Sequence, residues 1–258
     1  MIERKSAAEI ETMARAGRVV ADTLALLEER IVPGVTTREL DSVAEEFIRS
    51  HGGEPTFKGY KGYPAATCLS PNDMVVHGIP GASTLADGDI LSVDVGVTLE
   101  GFVADSAWTF AVGTIEPEAQ RLLDTCRAAL EAGIEQAKVG NAIGDISKAV
   151  QTVTEAAGFS VIRSLVGHGV GRSMHEDPQV PNFVSNLRGP ELKAGMTIAI
   201  EPMITAGGAE VYIHDDEWSI STADSSLSAH FEHTVAITEE GPRILTQAER
   251  PVEAGLLP

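Results

Sequence analysis

Four carboxylates and one histidine interrupt the apolar, strand-forming runs in the last two-thirds of this chain, and they limit what it can fold into. Asp94 closes the run ILSVD, Asp105 closes GFVAD, Glu201 closes TIAIE, Glu232 stands in AHFEHT, and His168 lies in a glycine-rich segment. Strands of this composition bury at least one face, and a buried carboxylate is costly unless it is paired or bound to a cation. Taken singly, each acid has a plain reading as a turn cap or a residue of a surface strand. Taken together, the five point to one shared metal centre.

The spacing supports convergence. A strand, a turn around Glu100-Gly101 and a returning strand bring Asp94 and Asp105 into one hairpin. Alternation along the strand puts Asp105 on a face with Val103 and Ala107, and Glu201 on a face with Thr197 and Ala199. Four carboxylates within a few ångströms raise one another's pKa and cannot all ionise unaided. Two divalent cations balance the four negative charges. Mixed carboxylate and imidazole donors suit Mn, Fe, Co or Zn rather than a thiol-seeking metal. Such a pair of ions is suited to hydrolysis.

Bulk properties exclude several classes. The formal charge of −19 argues against a general nucleic-acid binder, which needs Lys and Arg for phosphates. Solubility, or adaptation to a salty cell interior, accounts for it equally well. No run approaches the roughly 18 apolar residues of a membrane span, and the charged start MIERKSAAEIETM lacks a signal-peptide core. Cys68 and Cys126 have neither CxxC spacing nor the density of a disulfide scaffold. The chain reads as soluble and cytoplasmic.

Capping boxes at Ser6–Glu9 and Thr36–Glu39 predict a first helix running until Pro33-Gly34 and a second ending at Gly52-Gly53. Residues 54–66 read as a loop, and strands are expected near 67–70, 74–77, 90–96 and 102–111. Helices over 117–138 and 142–157 follow, then a strand-rich remainder from Ser160 to about Thr246. Helix pairs ahead of strands indicate an α+β fold. Leu85-Ala-Asp-Gly-Asp-Ile-Leu-Ser-Val-Asp94 echoes Leu192-Lys-Ala-Gly-Met-Thr-Ile-Ala-Ile-Glu201, and Val76-His77-Gly78-Ile79 echoes Gly167-His168-Gly169-Val170. Two related halves, about 1–112 and 113–248, are therefore expected within a single domain spanning 1–258.

These residues resemble the methionine aminopeptidases and their pita-bread relatives over roughly residues 3–248. The motifs that carry the resemblance are Asn72-Asp-Met-Val-Val-His77-Gly-Ile-Pro80, Asp94-Val-Gly, Gly167-His-Gly-Val-Gly171, Met174-His175-Glu-Asp-Pro178, Glu201-Pro and His230-Phe-Glu-His-Thr234. Only 32 residues separate His168 from Glu201, without the helical insertion of the type II enzymes, and no zinc-finger extension precedes the motifs, so the likeness is to a bacterial-style type I enzyme.

The resemblance implies a pita-bread fold, a curved antiparallel sheet flanked by helices, and removal of the initiator methionine from nascent polypeptides. By it, Asp94 chelates one metal, His168 and Glu201 hold the other, and Asp105 and Glu232 bridge both. His77 and His175 position the substrate amide and stabilise the tetrahedral intermediate, and Glu201 shuttles a proton for a hydroxide shared by the ions. Tyr60, Tyr63, Cys68, Met174 and Trp218 line the methionine slot. Asn72, with Met74 and Ser228, matches a monovalent-cation loop. The resemblance also implies a monomer that meets its substrate at the ribosome.

Other readings stay open from the residues alone. His77 and His175 also suit structural roles, the aromatics of Phe57-Lys-Gly-Tyr-Lys-Gly-Tyr63 also suit packing, and His233 is expected on the opposite strand face from Glu232. Lys61 stands where bacterial relatives often carry histidine, and Met174 where an aromatic is common. The strong acidity fits poorly with docking on ribosomes through basic loops. Alternatives on the same fold are a proline-specific dipeptidase or aminopeptidase and a non-catalytic binding protein.

Overall fold

The computed structural model describes residues 2–247; residue 1 and residues 248–258, the last of the expected domain and of its second half, lie outside the described residues. The first part contains α1 (Ala7–Glu28), α2 (Thr37–Ser50), β1 (Glu54–Pro55), β2 (Thr67–Pro71), β3 (Met74–Val76), β4 (Ile90–Leu99) and β5 (Phe102–Ala111). Next come α3 (Pro117–Glu135), α4 (Ile143–Ala156), β6 (Ser160–Val161), β7 (Gly167–Gly169), β8 (Glu176–Val180) and β9 (Thr197–Ile200). The chain continues through β10 (Met203–Thr205), β11 (Val211–Ile213), β12 (Ile220–Thr222), β13 (Ser228–His230), β14 (His233–Thr238) and β15 (Gly241–Ile244).

Both capping boxes form: Ser6 and Thr36 accept from the backbone of Glu9 and Glu39, whose carboxylates return the contact. The first helix ends short of Pro33, because the chain turns at Glu29–Arg30 and Ile31 donates back to Leu27. The third likewise stops at Glu135 instead of 138, where Asn141 Nδ2 takes the Gln136 carbonyl at 2.9 Å. The segment expected as a plain loop over 54–66 holds β1, paired with β4, and a 3₁₀ turn over Tyr60–Gly62. Strand β4 runs three residues beyond its expected end, to Leu99, and pairs with β5 along its whole length. Glu100 and Gly101 close this hairpin with φ of 50° and 80°, the left-handed pair that suits a two-residue hairpin turn.

The described strands form four antiparallel sheets, and the two larger ones position the site. One has the order β1-β4-β2 with β5 on β4, and the other β15-β14-β9-β7-β8. Helices α1 and α2 bury Leu24, Leu27, Leu40 and Ile48 against Leu91, Val93, Val95 and Val97 of β4. Helices α3 and α4 bury Leu122, Leu130, Ile146 and Val150 against Ile198, Ile200 and Val235. Helix pairs thus cover one face of each sheet, the α+β layering expected. Among the described residues, no helix is long and apolar enough to cross a membrane.

Side-chain hydrogen bonds join the sheets between β5 and the segment 230–234. The Thr234 hydroxyl accepts from the Asp105 amide at 3.0 Å and lies 2.8 Å from the Asp105 carbonyl. Ser106 donates to the Glu232 carbonyl, the Glu232 amide to the Ala107 carbonyl at 2.8 Å, and the Thr109 hydroxyl to the His230 carbonyl at 2.8 Å. This seam is where the ligand-type side chains gather.

Candidate metal centre

The hairpin register explains the first pair of acids. Asp105 lies opposite Gly96, two residues along β4 from Asp94, so both carboxylates project from one face. Cys68 lies opposite Asp94 on the other side and shares that face. A side chain at Gly96 would strike the Phe57 ring, its Cβ 2.7 Å from Cε1, so the face stays open only with glycine there. The second sheet supplies the rest. His168 sits at an irregularity in β7, Glu201 is the first residue past β9, and Glu232 occupies the break between β13 and β14. At these interruptions a side chain is released from strict alternation.

His168 Nε2 stands 3.6 Å from Asp105 Oδ2 and 3.5 Å from Glu201 Oε1, beyond hydrogen-bonding range but suited to sharing a cation. Its Nδ1 lies 2.9 Å from the Gly169 carbonyl. A carbonyl only accepts, so the proton sits on Nδ1 and Nε2 presents a lone pair, the tautomer of a metal ligand. Asp105, His168 and Glu232 each offer one ligand atom within 4.8 Å of one another. Asp94 Oδ1 and Glu232 Oε1 are fully enclosed and have no hydrogen-bond partner.

The electrostatics agree. Burial, followed by the neighbouring carboxylates, pushes Asp94, Glu201 and Glu232 well above the usual carboxylate range. Asp105 is also raised by burial, while the Thr234 hydroxyl pulls it back. Bound cations invert this cost. Enclosed oxygens without partners, a histidine with a free lone pair and a mixed oxygen and nitrogen donor set all fit divalent ions.

All twelve expected site residues line one cavity of 340 Å³: His77, Asp94, Asp105, His168, His175, Glu201 and Glu232, together with Tyr60, Tyr63, Cys68, Met174 and Trp218. His175 Nδ1 is 2.9 Å from the Tyr60 hydroxyl, and its ring lies 4.3 Å from that of His168. Burial, with the Lys61 ammonium adding to it, pushes His175 down to about 4, and burial lowers His77. Both rings are therefore neutral near pH 7. The Tyr63 hydroxyl donates toward the Thr67 and Gly78 carbonyls, and its ring meets Trp218 edge-on at 5.1 Å. Burial pushes the Cys68 thiol up, leaving it a neutral, small wall.

His233 turns away from the centre, its Nδ1 2.8 Å from the Thr246 hydroxyl, as strand alternation predicts. The sequence reading did not single out His230, which also lines the cavity. Its Nε2 is enclosed without a partner, 3.7 Å from Glu201 Oε2 and 3.9 Å from Glu232 Oε2. Its place two residues before Glu232 was the available signal, since i and i+2 share a face in an unbroken strand.

A model of metallopeptidase family M24 matches residues 11–239. The chain is 52% identical to a methionine aminopeptidase of Clostridium perfringens, over 95% of this chain and 99% of that protein. It is 48% identical to methionine aminopeptidase 1 of Bacillus subtilis, over 96% and 100%. The crystal structure of methionine aminopeptidase from Thermotoga maritima superimposes with a TM-score of 0.94 at 44% identity, covering 96% of this chain and 100% of that one. A prolidase from Pyrococcus furiosus shares the fold, with a TM-score of 0.77 at 24% identity, but this chain covers only 66% of it. The architecture is the α+β pita-bread fold, and with its buried Asp, His and Glu donors the chain belongs to metallopeptidase family M24.

Proposed function

We infer that this protein is a metal-dependent aminopeptidase that removes the N-terminal methionine from polypeptides. The observation that carries the reading is the meeting of a carboxylate and histidine cluster, with enclosed unpartnered oxygens, and an apolar slot walled by Tyr63, Cys68, Met174 and Trp218. Asp94, Asp105, His168, Glu201 and Glu232 would hold the divalent ions, Asp94 toward one, His168 and Glu201 toward the other, with Asp105 and Glu232 between them. When bound, such ions supply Lewis-acid polarisation and an activated water.

The chain's own groups do the rest. The apolar slot takes the unbranched methionine side chain and excludes water around it. His77 and His175, both neutral, hold the substrate amide and offer hydrogen bonds to the oxygen that gains charge during attack. Glu201 moves the proton from the attacking water to the leaving amine.

The mixed carboxylate and imidazole donor set suits Mn, Co, Fe or Zn. A monovalent cation belongs near Asn72, which has φ of 54° and whose carbonyl accepts from the Ser228 amide at 2.9 Å. The reading extends to one catalytic domain of two related halves and to a cytoplasmic monomer acting on nascent polypeptides as they leave the ribosome. The helix pair packed on each sheet supports the two halves.

The test is cleavage of Met-Ala-Ser against an Xaa-Pro peptide, with Mn, Co, Fe or Zn supplied separately. Turnover of Met-Ala-Ser with at least one metal is expected. Preference for the Xaa-Pro peptide overturns the reading in favour of a proline-specific enzyme. No turnover together with no bound metal makes the protein a non-catalytic binder.

A further inference from the structure

Most cations beside the cavity are already neutralised, and Lys61 is an exception. Lys58 on the same loop meets Glu45 at 2.6 Å, and Arg172 meets Glu9. Lys61 forms no ion pair among the described residues; its recorded neighbour is the Tyr60 ring, whose centroid lies 5.3 Å from Nζ. The residue is exposed at the centre of the 3₁₀ turn with φ of 49° and ψ of 22°, a left-handed conformation that L-residues seldom take. It is the one lysine or arginine among the described residues lining the cavity. Tyr60 in turn contacts His175, and His175 packs against His168, so only two rings separate this unpaired cation from the ligand cluster.

We propose that Lys61 is a specificity-determining residue that favours polypeptides carrying a carboxylate a few residues beyond the scissile bond. This rests on the aminopeptidase reading above. With methionine in the slot, the following residues leave through the mouth at about 3.4 Å each, so the second to fourth of them pass the rim. Bound divalent ions would offset the cavity's own carboxylates, whereas Lys61 forms no ion pair among the described residues. Lys61 thus opposes, at this one place, the repulsion that a chain of net charge −19 exerts on acidic peptides.

The experiment measures kcat/KM of the metal-loaded enzyme on Met-Ala-Ser-Glu-Ala and Met-Ala-Ser-Gln-Ala at low and at 1 M salt, for wild type, Lys61→Gln and Lys61→Glu. The readout is the acidic-to-neutral ratio, which cancels any general loss of activity. Removing the cation is expected to lower that ratio about two- to fivefold at low salt, the range of one exposed charge pair. Reversing it should lower the ratio further, and 1 M salt should abolish the difference. Equal ratios in wild type and Lys61→Gln overturn the proposal. Failure of wild type to cleave either peptide with any of the four metals overturns the aminopeptidase reading instead.

Discussion

The Tyr60 hydroxyl and His175 Nδ1 lie 2.9 Å apart, linking the aromatic loop over residues 57–63 to the histidine beside the ligand cluster. When the phenol donates, the imidazole proton is left on Nε2, the nitrogen free to donate to a substrate oxygen. Loss of this bond in Tyr60→Phe is expected to reduce kcat several-fold, up to about tenfold, consistent with a net hydrogen-bond contribution of about 0.5–1.5 kcal/mol. KM for Met-Ala-Ser should change less. Steady-state kinetics checks the split, and an unchanged kcat removes the bond from the mechanism.

A second link braces the segment that carries His175. Lys5 Nζ, whose side chain is 1% exposed, donates to Glu176 Oε2, while Glu176 Oε1 accepts from the Arg172 and Ser173 amides at 2.7 and 3.1 Å. Gly171 must lack a side chain for the pair to form, because its Cβ would lie 2.2 Å from Lys5 Cε. Burial pushes the Glu176 pKa up, but Lys5 and the two amides outweigh it and the net shift is downward. A depressed folded value means the stabilisation is full above the unfolded pKa of about 4.3 and is lost as pH falls through the folded value. Thermal melts should show wild type losing more stability than Glu176→Gln on acidification below about pH 4.3. At pH 7, Lys5→Met should cost about 1–3 kcal/mol, because Glu176 Oε2 loses its partner while Oε1 keeps the two amides.

Metal removal should act in the opposite pH direction. Without cations, Asp94, Glu201 and Glu232 have folded pKa values raised by burial and by one another. Groups raised in this way favour the folded state below their unfolded pKa and weaken it progressively as pH rises. Chelated protein should therefore lose melting temperature as pH rises above the ordinary carboxylate range of about 4, relative to metal-loaded protein, and Asp105→Asn should narrow that gap. Calorimetry with and without chelator checks this; a pH-independent gap contradicts it.

Met174 is buried against Tyr63 and Cys68 in the apolar cluster that walls the slot. Met174→Ala removes several methylene-sized groups from that wall. Discrimination in such pockets changes by about 1–3 kcal/mol per methylene. The variant is expected to lose about tenfold or more in kcat/KM on Met-Ala-Ser, mainly through KM, while its relative rate on Leu-Ala-Ser rises. Peptide competition assays measure the ratio.

Much of the site was legible before folding because its logic is local. Asp94 and Asp105 come together through period-two alternation and the hairpin at Glu100-Gly101, both readable along a few residues, whereas Cys68 joins their face only through the pairing of β2 with β4. The two capping boxes were equally local. Helix ends were less legible: α1 stops before Pro33 and α3 before Gly140, where backbone turns and the Asn141 side chain intervene.

The sequence by itself determined which side chains are costly to bury: four acids and a histidine in apolar runs, wherever the strands lie. Only the tertiary structure decided what surrounds them. His230 reached the centre because β5 and segment 230–234 are stitched together by Ser106, Thr109 and Thr234. Lys5 lies 171 residues from Glu176 yet braces it, and Lys61 stays unpaired while Lys58 finds Glu45. Periodicity is a property of neighbours along the chain, whereas partners and orphaned charges depend on strand register and on packing between distant segments.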